Sequence, residues 1–278
     1  MNGEKPSKTA MTGPSPAHAS RSAVLRLLVI PSAVYTVWVV ATFLLEGTVS
    51  LFQHPDAMGI FLYTSMACIL SGMVIPFLWI RGSFMTGAVN MFQIGFRAVR
   101  RTVMACALTT LTGYMSVVLF SPFGTDRIAF AEMFLILLPT AIASVMVCWV
   151  LVGTHVQAFV RSGGTLISII AGSLVTAGLF CLTSLAHSPA VRVQPALAGF
   201  LVLGVSAAVF FFAVRDVYAG SIFAAVGLTF VMADRTGVEN THAMMPPVYG
   251  SALLAVIALV GIHLYLSRNF MTVRLQGK

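Results

Sequence analysis

Glu132 is an ionisable residue inside a long apolar run of the sequence. Ionisable side chains are costly at membrane depth and are functional candidates by default. Two interpretations stay open. Near the start of a helix, the positive end of the helix dipole stabilises a carboxylate, and Arg127 lies within reach. Alternatively, Glu132 forms an ion or proton site beside a helix break, which we expect at Pro139 and Thr140.

Imidazole and carboxylate groups occur in several loops that we expect on the outer side of a membrane. The candidate ligands are His54, Asp56, His187 and His242. Such groups suit a divalent transition metal. They come from separate loops, however, and no metal-binding spacing is present. Solvated loop residues are therefore the competing interpretation.

Small and hydroxyl residues recur along several apolar runs. Close helix packing with hydrogen bonds between helices explains them, but a cavity for a weakly polar cargo would use the same residue types. We therefore define a candidate cargo pathway by its members: Thr109, Thr112, Glu132, Pro139, Thr140, Ser173 and Thr176.

The stretch "NMFQIGFRAVRR" places Arg97, Arg100 and Arg101 close together in a chain that is otherwise poor in charge. Polar residues recur at steps of three and four through this stretch, and apolar residues occupy the other face. The period predicts an amphipathic helix over about 84–101, lying at the cytoplasmic surface. The three arginines would then bind anionic lipid or dock a soluble partner.

Two short patterns concern the inner ends of the helices. His155 and His263 close two apolar runs, where histidine usually reaches water or caps carbonyl groups. Arg215 and Asp216 occupy a tight turn, where we expect a local ion pair.

The composition places all these residues in a membrane protein. The chain has 278 residues, of which 58% are hydrophobic and 9% charged, and its mean hydropathy is +0.95. A soluble domain carries about a quarter charged residues, so an all-α, polytopic membrane protein is the class that fits. The net charge of +8 then reports membrane orientation rather than nucleic-acid binding. Residues 1–22 have the composition of a disordered cytoplasmic tail, and residues 23–278 form a single transmembrane domain.

A spanning helix needs about 20 mostly apolar residues. The sequence predicts eight, in four hairpins: 26–45, 59–80, 103–121, 130–154, 164–185, 195–214, 217–232 and 247–267. The seventh is the shortest, and a re-entrant segment is its alternative. With eight spans and a cytoplasmic N-terminus, basic residues concentrate on the inner side, as the positive-inside rule requires. We therefore expect both termini in the cytoplasm and the protein in the cell (plasma) membrane.

The motifs of common enzyme classes are missing. All lysines lie in the tails, and the sequence holds no H-E-x-x-H, Walker or G-x-S-x-G motif. The sequence favours a transporter or permease-type subunit for a small neutral or lipid-like cargo, without a cofactor. A structural or accessory subunit, bound to a partner through the amphipathic helix, is the second hypothesis. An intramembrane lipid-modifying enzyme is the third. The sequence leaves the oligomeric state open.

Overall fold

The computed structural model describes residues 25–52, 56–85, 89, 91–120, 127–187, 194–232 and 245–271. Within these ranges all regular structure is helical and no strand occurs. Seven of the described helices are long and apolar enough to cross a membrane. Helices of this length and apolarity are typical of a membrane-embedded protein.

The helices agree closely with the predicted spans, and we number them in chain order. They are α1 (Arg26–Gly47), α2 (Ala57–Met85), α3 (Val99–Phe120), α4 (Ile128–Phe159), α5 (Thr165–Thr183), α6 (Gln194–Val214), α7 (Val217–Met232) and α8 (Met245–Leu266). The shortest is α7, with 16 residues. A 3-10 turn, Ser184–Ala186, extends α5, and π-type turns, Ser267–Met271, extend α8.

Helix α4 is the central helix of the bundle. In a continuous apolar stretch of 18 residues within α4, 89% of the residues are buried. The same measure for Phe92–Phe120, which contains α3, is 11%. It packs against α1, α2, α5, α7 and α8. The fully buried Trp149 of α4 lies 5.1 Å, ring centre to ring centre, from Phe180 of α5. By contrast, α3 lies at the periphery, and α7 is its main packing partner.

The break expected at Pro139 and Thr140 is wrong, because α4 continues through both residues. Both are buried, and beyond them the turns widen to the π type over Val145–Gly153. A spanning helix tolerates proline because neighbouring helices and local widening of its turns satisfy the backbone.

Glycines let α6 and α7 pack closely in antiparallel order. A Cβ atom on Gly220 would lie 3.3 Å from the Phe211 side chain, and one on Gly199 would lie 3.2 Å from Val231. Gly220 is near the start of α7 and Phe211 near the end of α6. At the other end the order is reversed, since Gly199 is near the start of α6 and Val231 near the end of α7. Thus α7 runs beside α6 for almost its whole length.

The structure does not confirm a continuous amphipathic helix over 84–101. Within the described part of this segment, α2 extends to Met85 and one helical turn covers Met91–Ile94. Gly95 then adopts φ +83°, a left-handed conformation that ends this turn. The expected apolar face is divided as a result: Phe96 is buried, whereas Phe92 is 60% exposed.

Candidate functional site

One end of the molecule holds a network of polar groups around the α6–α7 turn, and we call it the basic end. Arg215 adopts φ +55° and ends α6. Its guanidinium donates to the backbone carbonyl of Gln93 (3.0 Å) and to the Gln157 side chain of α4 (2.9 Å). Burial, and then the neighbouring Arg97, lower the pKa of Arg215 to about 10. Arg215 therefore stays cationic at neutral pH.

Asp216 immediately precedes α7, and its carboxylate caps that helix. It accepts hydrogen bonds from the backbone N–H of Ala219 (3.0 Å) and the hydroxyl of Thr102 in α3 (2.7 Å). The local ion pair expected between Arg215 and Asp216 is wrong, because each side chain binds other elements instead. The turn thereby connects α3, α4, α6 and α7.

Arg97 closes this network from the segment before α3. Its Nε donates to the backbone carbonyl of Arg215 (2.8 Å), and its guanidinium lies 3.8 Å from the centre of the Phe92 ring. Arg97 is only 9% exposed, whereas Arg100 and Arg101 are exposed. Arg97, one of the three arginines predicted to dock lipid or a partner, therefore also packs within this network. Docking stays a prediction for all three arginines.

His155 lies inside the protein rather than at the water interface. It is fully buried, its Nδ1 lies 2.7 Å from the Leu151 carbonyl, and its Nε2 lies 2.7 Å from the Ser83 hydroxyl of α2. Of the two expected roles, His155 does not reach water, but its contact with the Leu151 carbonyl agrees with the expected role of binding carbonyl groups. His263 is partly buried, with its Nδ1 3.0 Å from the Tyr218 hydroxyl.

The opposite end of the molecule holds a buried ion pair. Glu46, at the end of α1, lies 2.9 Å from Nδ1 of His187, which follows α5, and the two side chains are 0% and 3% exposed. The rings of Phe52 and Phe200 lie 5.9 Å and 6.4 Å from the imidazole. Both groups are charged only when His187 is protonated. Burying two charges among aromatic rings then costs free energy that only a close, well-oriented pair offsets.

Gly47 lets α1 approach this ion pair. A Cβ atom there would collide with the backbone carbonyl oxygen of Ala186, in the turn that precedes His187. Next to the pair, Tyr63 of α2 is buried, with its hydroxyl 3.0 Å from the Thr140 hydroxyl of α4. The ion pair therefore joins α1 to α5 in the same region where a hydroxyl pair joins α2 to α4.

Between the two polar centres, a groove runs along α3 on the side of α8. Its larger part is a cavity of about 640 Å³ lined by α3, α4, α7 and α8. Its smaller part, about 270 Å³, lies at the basic end. Tyr218 lines both parts, so we treat them as one feature, the α3–α8 groove. The polar residues of the smaller part are Arg97, Thr102, Tyr218, His263 and Ser267.

A second cavity, of about 650 Å³, lies on the other side of α3, against α6 and α7. Its polar lining includes Thr109, Thr112, Ser116 and Ser206. These hydroxyls all donate to carbonyls of their own helices at 2.8–3.0 Å. Such bonding leaves mainly carbon atoms to contact a cargo.

The candidate cargo pathway is spread over several places. Thr109 and Thr112 line the second cavity. Glu132 is 2% exposed, and Pro139 and Thr140 are buried in the same helix, α4. Ser173 is partly buried in α5, and Thr176, one turn along, is fully buried with its hydroxyl bonded to the Gly172 carbonyl (2.8 Å). A pathway through these residues stays a prediction.

The candidate metal ligands have separate roles where they are described. Asp56 is exposed and caps the start of α2, since its carboxylate accepts from the Gly59 N–H at 2.8 Å. His187 is buried and paired with Glu46. His54 and His242 lie outside the described residues, and within those residues no group of three or more His, Cys, Asp or Glu could hold a metal.

Glu46 is the residue that sequence reasoning missed. It follows the apolar run of α1 as a lone acid, and with Trp38 and Thr42 it forms a stripe at four-residue steps that is buried throughout. A carboxylate that continues a buried stripe is the signal that could have found it.

Comparison with known proteins identifies no relative: no protein-family model, no curated protein and no solved structure matches this chain.

Proposed function

We propose that the protein is an integral membrane transporter or permease-type subunit, and that its cargo is small and neutral or lipid-like. The α3–α8 groove is the observation that carries this proposal. Its larger cavity, about 640 Å³, falls within the 300–1,000 Å³ of typical ligand sites, and such sites are mostly apolar. In a bilayer, a groove beside a peripheral helix is accessible to apolar molecules from the side.

The proposed topology has eight spans, with α7 as the seventh. Its 16 residues cover about 24 Å at 1.5 Å per residue, and a bilayer adapts to such a short helix by local thinning. The antiparallel packing of α6 and α7 supports a full crossing. Both termini then lie in the cytoplasm and the basic end faces inward, with the protein in the plasma membrane.

Flux in proteoliposomes tests the function. The cargo is a fluorescent phospholipid analogue or a small neutral solute, and we expect faster movement than in protein-free vesicles. Thr110→Trp, which fills the α3–α8 groove, should slow it. Leu111→Trp is the matched control, because Leu111 is 57% exposed and does not line the groove. No flux and no binding of either cargo class, with folded protein, would refute the transport proposal.

An accessory role is the second candidate, and the exposed apolar surface of α3 favours it. Leu108 and Leu119 of α3, for example, are 62% and 65% exposed. A partner helix could cover this surface, with Arg100 and Arg101 at its end. Gentle solubilisation and mass spectrometry should then find a co-purified chain that Arg100→Gln with Arg101→Gln releases. A lone chain would count against this role.

A further inference from the structure

We infer that the α3–α8 groove is a binding site for one anionic phospholipid, taken from the leaflet at the basic end. Its headgroup would lie against the smaller cavity and one acyl chain would occupy the larger one. The inference rests on the proposed function, since it assigns a cargo class to the same groove. Continuity, length and charge of the groove each support it.

The groove is continuous along both helices that flank it. On α3, Val103 lines the smaller cavity and Cys106, three residues further, lines the larger one. On α8, the adjacent residues Val260 and Leu259 line the smaller and the larger cavity. With Tyr218 in both linings, no helical turn separates the two cavities.

The length of the groove fits an acyl chain. Its lining on α3 runs from Thr102 to Val117, about 22 Å at 1.5 Å per residue. One leaflet contributes about 15 Å of hydrocarbon to a bilayer. An extended chain that begins at the basic end therefore remains beside α3 through the whole leaflet. The deep lining is apolar, with Phe134, Leu138 and Ile142 of α4 facing the chain.

The charge at the mouth of the groove selects an anion. Arg97 lines the smaller cavity itself, and the exposed Arg100, Arg101 and Arg268 lie at the same end of α3 and α8. The Asp216 carboxylate accepts hydrogen bonds from Thr102, which lines the smaller cavity, and from the Ala219 N–H. The Tyr218 hydroxyl, which lies 3.0 Å from Nδ1 of His263, belongs to the remaining part of the site, whereas the Ser267 hydroxyl donates to the Leu264 carbonyl. Phosphate oxygens accept hydrogen bonds from cationic donors such as the arginines at this end.

Photo-crosslinking tests the site in the full-length protein. The probes are phosphatidylglycerol and phosphatidylcholine with the same diazirine-bearing acyl chain, each diluted into vesicles of phosphatidylcholine. We expect labels at Cys106, Thr110 and Tyr114, and about fivefold more label from phosphatidylglycerol, because one nearby cation contributes roughly that factor. High salt should reduce this preference. Equal labelling by both lipids, or labels spread evenly over the outward face of α3, would overturn the inference.

Two variants sharpen the test. Arg97→Gln should remove most of the headgroup preference, whereas Arg161→Gln, an exposed arginine in the α4–α5 turn, should leave it unchanged. An equal loss in both variants would overturn the inference. Arg97 also closes the polar network, so if Arg97→Gln fails to fold, the headgroup comparison in the unmodified protein decides. Lipid flux without groove labelling would refute this site alone, and groove labelling without flux would refute transport alone.

Discussion

At the basic end, Arg97 and Arg215 donate to backbone carbonyls, whereas at the opposite end Glu46 and His187 contact each other directly. The basic-end network distributes its charges over neutral partners in several elements, and Arg215 remains partly exposed. The Glu46–His187 pair is almost completely buried. We therefore expect the two ends to respond differently to the loss of one group. Removing a group from the basic-end network breaks individual hydrogen bonds, whereas removing one member of the buried pair leaves the other buried without its partner.

The largest effect is expected for Glu46→Ala. Removing one partner of a buried ion pair destabilises a protein by about 3–5 kcal/mol, because the other partner stays buried. The free energy of unfolding, measured by reversible denaturation in detergent micelles, checks this value. The double variant Glu46→Gln with His187→Gln should recover part of the loss, since neither group then carries a charge. If the loss of unfolding free energy in the double variant equals the sum of the losses in Glu46→Gln and His187→Gln alone, the two residues are not coupled.

An intermediate effect is expected for Asp216→Ala at the basic end. The variant removes the cap of α7 and the acceptor of the Thr102 hydroxyl, and a lost cap costs about 0.5–2 kcal/mol. The same unfolding measurement applies. Asp56→Ala is the matched control, because Asp56 caps α2 from an exposed position with one hydrogen bond. If Asp216→Ala lowered the free energy of unfolding as much as Glu46→Ala does, the predicted difference between the two ends of the molecule would be wrong.

The smallest effect is expected for Thr112→Val, which lies between the two centres. Its hydroxyl donates to carbonyls of α3 at 3.0 Å, so the helix keeps its main-chain hydrogen bonds without it. Substitutions of this kind stay within about 0.5 kcal/mol. The free energy of unfolding and the rate of flux should both equal those of the unmodified protein. A strong loss of flux with unchanged stability would instead show that this hydroxyl contacts a polar cargo.

The helices were predictable from the sequence because an apolar run is a local signal. The seventh predicted span, 217–232, coincides with α7 (Val217–Met232). The amphipathic helix over about 84–101 is not confirmed, since Gly95 ends the turn Met91–Ile94 and its carbonyl accepts from the Val217 N–H (3.1 Å). That contact joins distant parts of the chain, and periodicity within one segment contains no information about it.

The polar centres could be predicted only in part. Arg215 and Asp216 were correctly placed in a tight turn, but their partners Gln157 and Thr102 come from other helices. Glu46 and His187 are 141 residues apart in the chain. Such pairs depend on which helices become neighbours, and helix packing is decided by shape along the whole bundle rather than by local pattern. The positions of the hydroxyl residues are visible in the sequence, but their hydrogen bonds are not. The sequence does not show that Thr109 and Thr112 donate to carbonyls of their own helix rather than to a cargo.

The central claim is that the chain crosses the bilayer eight times, with its basic end inward. Reporter tags fused to residue 1 and residue 278, tested for accessibility in intact and in permeabilised cells, examine it directly. We expect both tags to become accessible only after permeabilisation. Tags on opposite sides of the membrane would contradict it, because α7 would then not cross and the groove would no longer open to the inner leaflet as proposed.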